Sequence, residues 1–93
     1  MPSISIENSF VLSKDAIFRD LDGEAVVLDL ASGAYFGLNQ VGTRIWQLIE
    51  QDGRLQNVLA RLGEEYEAAP EQLECDLLDL VSRLAQAGLG SAR

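Results

Sequence analysis

The chain contains no histidine. That absence removes imidazole acid–base chemistry, histidine-activated nucleophiles and the commonest metal ligand at one stroke. Cysteine is nearly absent as well. Cys75 stands alone, so no internal disulfide can form, which agrees with a reducing compartment. With no histidine to act as its base, Cys75 reads as a structural helix residue and not as a nucleophile. Positive charge is scarce: seven Lys or Arg face fifteen Asp or Glu, for a net charge of −8. Such a chain repels phosphate backbones and anionic lipid surfaces, so neither nucleic acid nor a membrane is an expected partner. No apolar run approaches the roughly 20 residues that a membrane-spanning helix needs. Met1 to Phe10 has no basic region and no signal-type apolar stretch, so a cytoplasmic protein is expected. The eight glycines are scattered at turns, without a phosphate-cradling loop. Neither a metal nor another cofactor is expected.

Carboxylates are plentiful, but their placement is ordinary. Glu64, Glu65 and Glu67 close one helical segment, and Glu71, Glu74, Asp76 and Asp79 occupy polar phases of the next. Solvated helix faces account for them. Asp20 to Glu24 has some oxygen donors near a glycine but lacks the remaining ligands of a calcium loop.

With 93 residues, 47% of them apolar, the chain has material for one domain. Its first half reads as strands. Ala16–Leu21 and Ala25–Leu30 flank Asp22-Gly23, a tight-turn pair suited to positive φ. In the second of these strands, Val26, Leu28 and Leu30 share one face at period two, so Asp29 is expected to point away from the core. After Ala31-Ser32-Gly33, a third strand covers Ala34–Leu38. The second half reads as helices. Asn39 is the expected N-cap of the first, with Val41, Ile45, Leu48 and Ile49 on one stripe and Trp46 as a structural residue. Leu55, Val58, Leu59, Leu62 and Tyr66 form the stripe of the second. Pro70 suits the first turn of the third, whose stripe is Leu73, Leu77, Leu80, Val81 and Leu84, with Gly88 as its stop.

Three strands followed by three helices predict an α+β fold: a three-stranded antiparallel sheet packed on three helices, winged helix-turn-helix-like in outline. The domain is expected over residues 16–89, with 1–15 and 90–93 loosely tied. A winged-helix transcriptional regulator is the alternative of a different class, but the third helix is acidic where a DNA reader is basic. An acyl carrier fits poorly, since Ser82 lies deep in a helix.

The third strand, Ala34 to Leu38, carries neither charge nor proline, the usual protections of a sheet edge. Beside it, Leu78, Val81 and Ala85 broaden the apolar stripe of the third helix. A groove between the two, accepting an extended peptide as an added strand, is the resulting expectation.

These residues carry a likeness. The run Gly23-Glu24-Ala25-Val26-Val27-Leu28-Asp29-Leu30, then Ser32-Gly33-Ala34-Tyr35-Phe36-Gly37-Leu38-Asn39, then Val41-Gly42 and Ile45-Trp46, resembles the PqqD-like family, as do Leu62 to Tyr66, Pro70 and Leu84 to Leu89. The resemblance covers about residues 16–89. It implies a non-catalytic recognition element for ribosomally made, modified peptides. It implies that the leader of a precursor peptide adds beside the third strand at Tyr35, Phe36, Gly37 and Leu38, against Glu74, Leu78, Val81, Ser82 and Ala85 of the third helix. For a domain of this length it implies most closely a lasso-peptide pathway with a separate leader peptidase. The quinone cofactor pathway, with a radical-SAM enzyme as partner, is second.

Overall fold

The computed structural model describes residues 4–93. Its elements run β1 (Phe10–Leu12), β2 (Ala16–Leu21), β3 (Glu24–Asp29), β4 (Tyr35–Leu38), α1 (Gln40–Gln51), α2 (Leu55–Glu65), α3 (Pro70–Gln86) and β5 (Gly90–Ala92). Strands β2, β3 and β4 form an antiparallel meander in that order. The Asp22-Gly23 turn joins the first two with positive φ at both residues, as a two-residue hairpin demands. Gly33, also at positive φ, closes the second hairpin.

Helix α1 lies at the centre and touches β1, β3, β4, α2 and α3. Its N-cap is Asn39, whose side chain accepts from the Gly42 amide at 2.8 Å. The three helices converge on Ile45, Trp46, Leu48, Ile49, Leu55, Val58, Leu62, Leu73, Leu77, Leu80, Val81 and Leu84, all buried. Trp46 stacks on Phe18 of β2 with ring centroids 5.9 Å apart, which ties helix to sheet.

Two expectations change. The buried face of β3 is Ala25, Val27 and Asp29, whereas Val26 and Leu28 are half-buried on the other face and Leu30 is exposed. Asp29 can turn inward because its carboxylate is already occupied. It accepts from the Ala31 amide at 3.1 Å and from the Ser32 hydroxyl at 2.8 Å, so little desolvation remains uncompensated. The turn that follows the strand therefore sets its phase, against the apolar alternation.

The ends are the second change. Residues 10–12 pair antiparallel with 90–92 instead of lying loose. Phe10 is 1% exposed, and its amide donates to the Gly53 carbonyl at 2.7 Å. Burial of one large aromatic holds a pairing that three residues a side could not sustain alone.

Arg44 of α1 forks onto Glu65 at the end of α2, with Nε to Oε1 at 2.7 Å and Nη2 to Oε2 at 2.8 Å. This bond holds the Glu65 carboxyl below its usual range and raises Arg44. The Asn57 amide does the same for Asp52, helped by the Arg54 backbone amide. Both acids have native values below their unfolded ones. Their contribution is thus complete above the ordinary carboxylate range of about 4 and is lost as pH falls through the depressed values. Urea midpoints measured from pH 6 down to 2 should decline, and Glu65→Gln should flatten part of that decline. An unchanged profile in the variant would show that the fork contributes nothing.

Candidate functional site

Strand β4 forms one edge of the meander and, among the described residues, pairs only with β3. The alternation of antiparallel bonding shows which of its groups are free. The Asp29 amide donates to the Ala34 carbonyl at 2.8 Å, so 29 and 34 are a bonded pair, and by alternation so are Val27 and Phe36. The main-chain groups of Tyr35 and Gly37 consequently point to the open edge. At the strand's end the Thr43 hydroxyl stands between partners: it accepts from the Ala25 amide at 2.9 Å and lies 3.4 Å from the Leu38 carbonyl, to which it donates. Thr43 is buried, and this relay lets β4 leave β3 and enter α1 without stranding a polar group.

A cleft of about 230 Å³ runs beside that edge. Phe36, Gly37 and Leu38 form its strand wall, Asn39, Val41, Gly42 and Ile45 its floor, and Asp76, Asp79, Leu80 and Arg83 its helix wall. Val41, Ile45 and Leu80 supply apolar surface inside, Asn39 is polar, and the rim is charged. Asp79 and Arg83 are 3.7 Å apart, and Asp76 accepts from the Gln72 amide at 2.9 Å. A Cβ at Gly42 would come within 3.3 Å of Asn39 Oδ1 and 3.4 Å of a Leu38 methyl, so glycine keeps the floor deep.

The sequence-derived site divides here. Tyr35, Phe36, Gly37 and Leu38 do lie along the open edge, with Tyr35 exposed on the outer face, Phe36 half-buried and Leu38 buried. On α3, however, Glu74, Leu78, Val81, Ser82 and Ala85 do not line the cleft. At 100° per residue, Glu74, Leu78 and Ala85 lie opposite the flank of Asp76, Asp79 and Arg83. Val81 is fully buried, Leu78 and Ala85 are half-buried against the core, Ser82 is half-buried and Glu74 is exposed. A core stripe has two flanks, and the apolar one was expected to meet the strand. The charged one meets it instead. The i,i+4 pair Asp79–Arg83 beside Leu80 was the available signal, and it reads in isolation as a solvated face.

A second, wider cleft of about 760 Å³ lies between β1 and β2 over Trp46 and Ile49. The β2 strand beside it carries Arg19 and Asp20, unlike the uncharged β4. Cys75 is exposed on α3, and no cluster of potential metal ligands occurs among the described residues. No described helix is long and apolar enough to cross a membrane.

Residues 24–89 match the family model of coenzyme PQQ synthesis protein D, PqqD. The chain belongs to the PqqD family. The matched span holds all of β3, β4, α1, α2 and α3, hence both walls of the cleft. Two solved structures resemble this PqqD-family chain over nearly their whole length. One is described as TbiB1 in complex with the TbiA(beta) leader peptide. It is 34% identical with a TM-score of 0.81, over 87% of this chain and 94% of that one. The other is a lasso peptide synthetase B1 complexed with the leader peptide, at 29% identity and a TM-score of 0.79, over 89% and 98%. No curated protein matches this PqqD-family sequence.

Proposed function

We propose that this chain captures the leader of a ribosomally made precursor peptide by strand addition and presents it to a separate processing enzyme, without catalysis of its own. The carrying observation is the uncharged β4 edge, left open among the described residues, beside a cleft that reaches Val41, Ile45 and Leu80, in a chain whose structural relatives are both leader-peptide complexes. One of those relatives is a lasso peptide synthetase B1, which favours a lasso pathway with a leader peptidase over the quinone pathway with a radical-SAM enzyme.

The leader strand bonds to the main chain of Tyr35 and Gly37. A few such bonds, each worth about 0.5–1.5 kcal/mol net, do little more than offset the ordering of a flexible peptide. Affinity therefore comes from side chains seated against Phe36, Leu38, Val41, Ile45 and Leu80. The Asp76 and Asp79 carboxylates on the rim favour a basic leader residue at that point. The sum reaches about −8 kcal/mol, a dissociation constant near 1 μM.

Titrating the co-encoded leader into labelled protein should move amide resonances of Tyr35 to Leu38 and Asp76 to Arg83, with or without chelator. Proline at a leader position whose N–H pairs with β4 should abolish binding, because it removes a donor. Shifts confined to α2, or indifference to that proline, would refute strand addition.

A further inference from the structure

The last rung between β3 and β4 engages a side chain from outside the sheet. Alternation from the bonded pairs Asp29–Ala34 and Val27–Phe36 makes Ala25 and Leu38 the next two residues to face each other across the ladder. At that rung the Ala25 amide donates to the Thr43 hydroxyl at 2.9 Å, and the hydroxyl donates onward to the Leu38 carbonyl at 3.4 Å. A hydroxyl can do both, because its one oxygen accepts and donates. All three residues are buried, so bulk water does not replace a partner lost here. The first turn of α1 holds the hydroxyl in place. The Thr43 amide donates to the Asn39 carbonyl at 2.8 Å, and a β-branched side chain has little freedom about χ1.

We infer that Thr43 is a positioning residue for leader capture: its hydroxyl sets where β4 ends against β3, and with it the two neighbours that meet the peptide. The inference rests on the strand-addition reading. Thr43 does not line the cleft, so it acts through Leu38 and Gly37, which do. The Leu38 carbonyl takes the hydroxyl's proton, and one peptide unit earlier the Gly37 main chain faces the open edge. A methyl in place of the hydroxyl needs about 3.5 Å or more from the Ala25 nitrogen, where the hydroxyl stands at 2.9 Å. The rung then widens, and two buried polar groups lose a partner. The end of β4 shifts against the cleft, and a peptide bonded to both Tyr35 and Gly37 loses the second of those contacts.

The test compares Thr43→Val, which keeps the branched shape without the hydroxyl, with Thr43→Ser, which keeps the hydroxyl without the methyl. Calorimetry with the co-encoded leader, below each unfolding transition, should show Thr43→Val about tenfold weaker than wild type and Thr43→Ser within about twofold. Both variants should lose stability, so affinity follows the hydroxyl while stability does not. In the wild-type complex, amide exchange should slow at Tyr35 and Gly37; in the Thr43→Val complex it should slow at Tyr35 alone. Wild-type affinity in Thr43→Val, or an equal loss in the two variants, overturns the role of Thr43 and leaves strand addition standing. If Thr43→Val does not fold, the Ala25 amide of the wild type decides. Clamping β4 should slow its exchange at least about tenfold on leader binding, and an unchanged rate overturns the inference. A wild type that binds no leader, or binds it without slowing Tyr35 and Gly37, overturns strand addition and this inference together.

Discussion

Phe10→Ala should cost about 3–5 kcal/mol of stability, the range for emptying a buried phenylalanine site. A small domain has about 5–15 kcal/mol in total, so this one truncation removes a large share of it. The expectation rests on how many elements meet at the ring. Phe10 is 1% exposed, its strand pairs with β5, and its main chain bonds to Gly53 between α1 and α2. Gly90 has no side chain where the ring lies, and any Cβ there would collide with Phe10 Cε2 and Cζ. Gly90→Ala should therefore reproduce part of the loss by steric displacement of the same ring. Urea unfolding followed by the single tryptophan, Trp46, gives the measurement. A loss under about 1 kcal/mol for Phe10→Ala would mean that the clamp of the two ends is peripheral to stability.

Phe36→Ala should weaken leader binding by about 2 kcal/mol, roughly thirtyfold in dissociation constant, as expected for an aromatic anchor at the centre of an interface. Phe36 is half-buried, packs against the core on one side and forms the strand wall of the cleft on the other. Its removal should thus cost less stability than emptying the Phe10 site. Leu78→Glu is the informative contrast. Leu78 lies off the cleft and half-buried against the core, so it should lower stability and leave leader affinity nearly unchanged in the folded fraction. Calorimetry below the unfolding transition separates the two effects. Equal affinity losses in both variants would place the peptide on the opposite flank of α3.

Much of this architecture was legible because local signals and tertiary demands agreed. Asp22-Gly23 asked for a two-residue hairpin and forms one, Asn39 caps α1, and the three apolar stripes became the three buried helix faces. The phase of β3 was not legible, because it depends on Asp29 bonding to Ala31 and Ser32, a contact that exists only once the turn has formed. The pairing of β1 with β5 was illegible for a different reason. Segments of three residues have no measurable alternation, and their partners lie at opposite ends of the chain. The open edge at Tyr35–Leu38 was readable from its missing charges. The flank of α3 beside it was not, since a hydrophobic stripe says which side of α3 is inside but not which flank meets β4.

The bonded ends bear on how this domain can be built into other chains. Ser9 and Arg93 exchange both main-chain bonds, Ser9 N to Arg93 O at 3.0 Å and Arg93 N to Ser9 O at 2.8 Å. The segment entering β1 and the segment leaving β5 thus run side by side. A linker from Arg93 back to the segment that precedes Ser9, in which Ile4 and Ile6 pack on the core, would span a short distance, and the exposed Glu67–Ala69 connection offers a place to open new termini. A circular permutant cut there keeps β4 and its cleft on uninterrupted chain, and a host protein could carry the domain as a loop insertion without pulling its ends apart.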